Sequence, residues 1–127
     1  VKLFGVKGFR VACNSPFTFA PWHQDEGTWN HHAHFSKKNP YTCWIPIQAS
    51  DCNTLEICMD NVELKEHFRN SLGQAYANFS DAEIKNRYII KPNPGWGYLF
   101  SCYQPHRSHI KSMSKVLRIS IDFRFYV

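Results

Sequence analysis

From Leu117 to Phe125 the chain alternates without a break. Leu117, Ile119, Ile121, Phe123 and Phe125 fall on one face, and Arg118, Ser120, Asp122 and Arg124 on the other. Successive side chains of a strand point to opposite sides of a sheet, so this run demands an extended strand and excludes a helix. The apolar face needs a cover, from a helical segment of the same chain or from a partner copy in a homo-oligomer. Asp122 and Arg124 read as solvent-facing. A second strand is expected at Tyr98–Tyr103 after the turn PNPGWG. Others fit Phe9–Cys13, Phe17–His23, Tyr41–Gln48 and Leu55–Met59, with Pro46 marking an edge or a bulge.

Between Asn61 and Phe79 the period lengthens. Leu64, Phe68, Leu72, Tyr76 and Phe79 recur every three to four residues behind Asp60, which predicts one or two helices. Ser80 and Glu83 have capping-box spacing for a further short helix through Arg87. Short strands with turns between them and one helical excursion predict a mainly-β fold. The fold class expected is a jelly-roll barrel, or double-stranded β-helix, with an inserted helical segment around 61–87. With 127 residues, 43% of them hydrophobic, and no repeat or linker, residues 1–127 read as one domain.

Composition narrows the function classes. No apolar stretch approaches the ~18 residues that cross a bilayer, and the start lacks a signal-peptide pattern. Fifteen Lys and Arg against ten Asp and Glu give +5, but the basic residues are scattered, which argues against nucleic acid as partner. The five cysteines are odd in number and form no CxxC pair, so a disulfide framework or cysteine zinc site is not expected. A reducing, cytoplasmic setting follows, with the cysteines acting as small buried hydrophobes.

The chemistry centres on histidine. His23 and Asp25 form an H-x-D pair, whose side chains share one side of an extended segment. The seven histidines and ten acidic residues would produce about 0.55 such pairs by chance, so the pair alone carries little. Downstream, QPHRSHIKS brings His106 and His109, and the alternating strand then brings Arg118 and Ser120. Two imidazoles and a carboxylate are the facial ligand set of non-haem Fe(II) sites, which leaves three positions open. A guanidinium beside a hydroxyl is a charge-assisted clamp for a carboxylate. His31, His32 and His34 in WNHHAHF offer either a second metal site or, as the favoured reading, a loop over the site mouth.

H-x-D, a distant His and then R-x-S resembles the Fe(II)/2-oxoglutarate-dependent dioxygenases, most closely the phytanoyl-CoA dioxygenase-like branch. CWIPIQASDCNTLEI is similar to that branch's "W-I-x-L-D-D" strand and "N-G-x-L" turn, with Trp44, Asn53 and Leu55 matching and Thr54 in place of glycine. NPGWGYLF resembles "P-G-D-x-x-x-F", with Trp96 replacing the acid. HRSHIKS resembles "H-x-S-x-x-N-x-S", with Lys111 where Asn is usual, which favours His106 over His109. VLRISIDFRF is similar to the closing strand.

The resemblance implies that His23, Asp25 and His106 hold Fe(II). It also implies that 2-oxoglutarate chelates the metal, with its far carboxylate on Arg118 and Ser120 and with Trp44 lining its pocket. O2 would then drive hydroxylation of a small-molecule substrate with release of succinate and CO2. Because halogenating relatives lack the carboxylate ligand, Asp25 implies hydroxylation instead. The family's N-terminal helical half and its "P-G-S-H" element have no counterpart here, so the chain reads as a fragment of such an oxygenase. The competing readings are a cupin-like metal enzyme without 2-oxoglutarate and a non-catalytic jelly-roll binding module.

Overall fold

The alternating C-terminal strand forms as expected and is central to the fold. In the computed structural model, which describes residues 2–12, 18–25, 40–111, 115 and 117–126, it pairs on both sides. In chain order the strands are β1 (Lys2–Ala12), β2 (Pro40–Gln48), β3 (Asn53–Cys58), β4 (Phe68–Arg69), β5 (Ala75–Tyr76), β6 (Arg87–Ile89), β7 (Tyr98–Ser101), β8 (His106–Ile110) and β9 (Arg118–Tyr126). A four-stranded sheet runs β1-β9-β2-β7, a three-stranded sheet runs β6-β3-β8, and β4 and β5 form a small hairpin. Every pairing is antiparallel. The chain is all-β: no helix occurs among the described residues, and so none there is long and apolar enough to cross a membrane.

The core lies where the two larger sheets meet. Trp44 from β2 and Phe100 from β7 pack with Leu55 and Ile57 from β3 and with Ile90. On β2 the buried residues alternate as Pro40, Thr42, Trp44 and Pro46. The expectation at Pro46 holds in its bulge form: the β2–β9 register shifts between Pro46 and Gln48, although β2 is an interior strand. The PNPGWG turn also forms. Trp96 N–H donates to Asn93 O at 3.1 Å, and Gly95 sits at φ 87°. Pro at the second and Gly at the third turn position is what a type II turn requires. Of the expected Phe17–His23 strand, Phe17 and the preceding Cys13 lie outside the described residues, and only His23 makes a β-bridge.

Two expectations are corrected. The helical segment around 61–87 is instead a strap of extended chain carrying the β4–β5 hairpin. Its helical stripe finds no core, since Leu64, Phe68 and Leu72 are exposed. Asn70-Ser71-Leu72-Gly73 closes the hairpin. Asn70 Oδ1 accepts from the Leu72 and Gln74 amides, and Gly73 takes φ 73°, which a side chain would strain. The Ser80–Glu83 capping box does form, with Ser80 N–H donating to Glu83 Oε2 at 2.8 Å. Only one turn follows it, because β6 begins at Arg87 and a single turn cannot offset helix nucleation.

The second correction concerns which face of β9 is inside. Arg118, Ser120, Asp122 and Arg124 are all buried, at 0–4% exposure, while on the apolar face Ile119, Ile121, Phe123 and Phe125 are only half-buried and Leu117 is exposed. Asp122 and Arg124 are therefore not solvent-facing.

Candidate metal centre

Three side chains from two distant segments meet between the sheets. His23 and His106 exchange backbone hydrogen bonds, N–H to O at 3.0 Å in each direction. That bridge sets their rings side by side, with centroids 4.2 Å apart. Asp25 Oδ1 lies 3.7 Å from Nε2 of both imidazoles. All three residues are buried, and their candidate ligand atoms lie within 4.8 Å of one another.

The donor set suits a metal ion. His23 Nδ1–H donates to Pro21 O at 2.7 Å, and His106 Nδ1–H donates to Gln104 O at 3.1 Å. A carbonyl only accepts, so the proton sits on Nδ1 and each Nε2 presents its lone pair toward the carboxylate. Facial ligands about 2.1 Å from one ion lie ~3 Å apart, so closure by less than an ångström brings Asp25 to both imidazoles. His109 is on the other face of β8, opposite Thr54, with its Nε2 buried and without a hydrogen-bond partner among the described residues. His106, not His109, is the third member.

Electrostatics keep the carboxylate ionised. Burial pushes the Asp25 carboxyl up, but positive charge on His106 and His23, when their imidazoles are protonated, and on Arg124 outweighs it and holds the carboxyl well below the usual range. Arg124 Nη2 donates to Asp25 Oδ1 at 2.6 Å, and its Nη1 donates to Asp122 Oδ2 at 2.7 Å. Burial works against the guanidinium charge, yet Asp25 and Asp122 raise its pKa further above the ordinary value. Thr42 Oγ1 donates to the other carboxylate oxygen at 2.6 Å.

The loop between the two N-terminal ligands is braced by the strap. Gln24, fully buried, donates from Nε2 to Val62 O, Glu63 O and Tyr103 O and accepts at Oε1 from Lys65 N–H. Its own N–H donates to His67 Nε2 at 2.9 Å. Burial lowers the His67 pKa, partly offset by its bond to Lys65 O and by Asp25, which keeps Nε2 able to accept.

A cleft of about 370 Å³, counting its open mouth, borders the triad and also touches Trp44, Arg118, Asp122 and Arg124. Arg118 donates from Nη1 to Thr54 O at 2.6 Å and from Nη2 to Ser108 Oγ at 3.4 Å. Ser120 shares Arg118's face and is fully buried, but it does not border the cleft. Its Oγ has no hydrogen-bond partner among the described residues. Trp44 lies in both the core and the cleft wall, stacked at a tilt on Tyr98. The Arg107 and Arg87 guanidiniums both lie over the Trp22 ring, 4.8 Å and 5.9 Å from its centroid. His31, His32 and His34 lie outside the described residues.

Of the residues expected from the sequence, the structure brings His23, Asp25 and His106 together with Arg118 and Trp44 beside them and leaves Ser120 off the cleft; sequence reasoning missed Thr42, Gln24, Asp122 and Arg124. For the last two the signal was present, because R-x-S-x-D-x-R places them on Arg118's face. Compared with models of known families and with curated proteins, the chain matches none.

Proposed function

We propose that this chain is a non-haem Fe(II)- and 2-oxoglutarate-dependent oxygenase that hydroxylates a small molecule, built on a jelly-roll barrel. The observation that carries this reading is one cleft holding both a buried His-Asp-His cluster and a buried arginine. Two imidazoles and one carboxylate leave half of an octahedral ion open. Charge supports the co-substrate. Asp25 and Asp122 cancel Arg118 and Arg124, so a divalent ion leaves the cleft with two positive charges, which a dicarboxylate neutralises.

The iron, when bound, supplies the oxygen activation. The protein's part is to orient and exclude. His23 and His106 aim Nε2 inward because their other nitrogens are tied to carbonyls. Arg118 offers a fixed, dry cation to a carboxylate, and Ser108 steadies it. Trp44 and Phe100 wall off water, Phe100 lying edge-on to His106 with centroids 4.8 Å apart.

The test uses Mn(II) as a redox-silent probe. Mn(II) should raise the melting temperature, 2-oxoglutarate should raise it further, and Fe(II) with 2-oxoglutarate should yield succinate. Arg118→Gln should keep the metal effect and lose the 2-oxoglutarate effect. No response to 2-oxoglutarate from a metal-loaded chain would overturn the oxygenase reading in favour of a cupin-like metal enzyme. His23→Ala with Asp25→Ala should abolish metal binding and turnover.

A further inference from the structure

Arg124 and Thr42 stand opposite each other on neighbouring strands, and both reach Asp25. An ionised carboxylate has roughly four lone-pair sites. Thr42 occupies one on Oδ2, while Arg124 occupies one on Oδ1, the oxygen that also faces both imidazole Nε2 atoms at 3.7 Å. Turning Oδ2 toward the imidazoles would break the 2.6 Å bond from Thr42. Asp122 takes the second guanidinium nitrogen, so the fork cannot swing away without also giving up its 2.7 Å bond to that buried carboxylate.

The geometry points to Arg124 as a positioning residue that, together with Thr42, holds Asp25 as a one-oxygen ligand to the ion at His23 and His106. This rests on the metal-site reading above. One-oxygen ligation uses three adjacent positions of six, whereas a chelating carboxylate would take a fourth and close a site needed for substrate. A rigid fork suits the task, because a guanidinium bonds two carboxylates at set angles and an ammonium does not. Electrostatics alone predicts the reverse effect. A guanidinium touching a ligand oxygen repels a divalent cation, so on charge alone its removal should tighten binding.

The full chain, stripped with chelator, is titrated with Co(II) while its d–d absorption and near-UV circular dichroism are followed. Arg124→Gln and Arg124→Lys should each weaken Co(II) binding by roughly 10- to 100-fold and shift the absorption band, as losses of outer-shell partners do. Thr42→Val keeps its shape while removing the bond to Oδ2, so it should shift the band and weaken binding in the same direction. If the arginine variants do not fold, Thr42→Val decides the question. Unchanged or tighter Co(II) binding in Arg124→Gln overturns the proposal, as does full recovery in Arg124→Lys or a Thr42→Val band identical to wild type. A wild-type chain that binds no Co(II) would instead overturn the metal-site reading beneath it.

Discussion

Gln24 offers a test of how the ligand loop is held, because its isosteric replacement by glutamate converts a structural claim into a pH dependence. The Gln24 amide nitrogen meets three carbonyls, those of Val62 at 2.9 Å, Glu63 at 3.2 Å and Tyr103 at 2.8 Å. A glutamate there keeps the bond from Lys65 N–H but turns an oxygen toward three oxygens. It fits only when protonated, as a single O–H donor. The lost donor costs about 1 kcal/mol at any pH. The larger effect is proton linkage. In the unfolded chain the carboxyl titrates near ~4.3 and above that pH it is ionised, while the native state retains its proton. The native state then binds more protons than the unfolded state, so stability falls as pH rises, by about 1.4 kcal/mol per unit. If the proton is kept to pH 7, the linked loss is about 3.7 kcal/mol there, a large share of the ~5–15 kcal/mol of an ordinary domain.

Urea denaturation of the metal-free wild type, Gln24→Glu and Gln24→Leu at pH 5 and pH 6 measures this. The deficit of Gln24→Glu relative to wild type should widen by about 1.4 kcal/mol between the two pH values. Gln24→Leu leaves the carbonyls and the Lys65 amide without their partner, and should lose stability equally at both. A Gln24→Glu deficit that does not change with pH would falsify the assigned bonding.

Three further outcomes follow from the structure. The Glu83 carboxyl is held down to about 2 by Lys65 and Ser80, against an ordinary 4.5, so its stabilisation is present above 4.5 and fades as the solution is acidified toward 2. Glu83→Gln should flatten that acid limb of the stability profile and leave the curve near pH 7 parallel to wild type. Trp44 is 3% exposed between core and cleft, so Trp44→Ala should cost about 3–5 kcal/mol, read as a lower denaturation midpoint, and Trp44→Phe clearly less. His109→Ala should bind Co(II) as wild type does, while His106→Ala should bind it far more weakly. Equal losses in the two would contradict the placement of His109 on the opposite face.

The candidate site was more legible than the fold's details. H-x-D and H-x-S were readable because metal ligation restricts residue types at short spacings, and His23, Asp25 and His106 do converge. Helical period misled around 61–87, where Leu64, Phe68 and Leu72 satisfy a stripe but stay exposed, outside the core. The turn Asn70-Ser71-Leu72-Gly73 was the better local signal, since Asn and Gly supply the bonds and the positive φ that a tight hairpin needs.

The alternating strand shows where sequence stops. Period two determined by itself that Leu117–Phe125 is a strand with one apolar and one charged row, because the backbone geometry of a strand permits nothing else. It did not determine which row lies inside. A lone buried arginine is prohibitive, but Arg124 meets Asp25 and Asp122, and Arg118 meets Thr54 O and Ser108. Asp25 and Thr54 belong to segments distant in sequence, so only the folded arrangement could make the charged row the interior one.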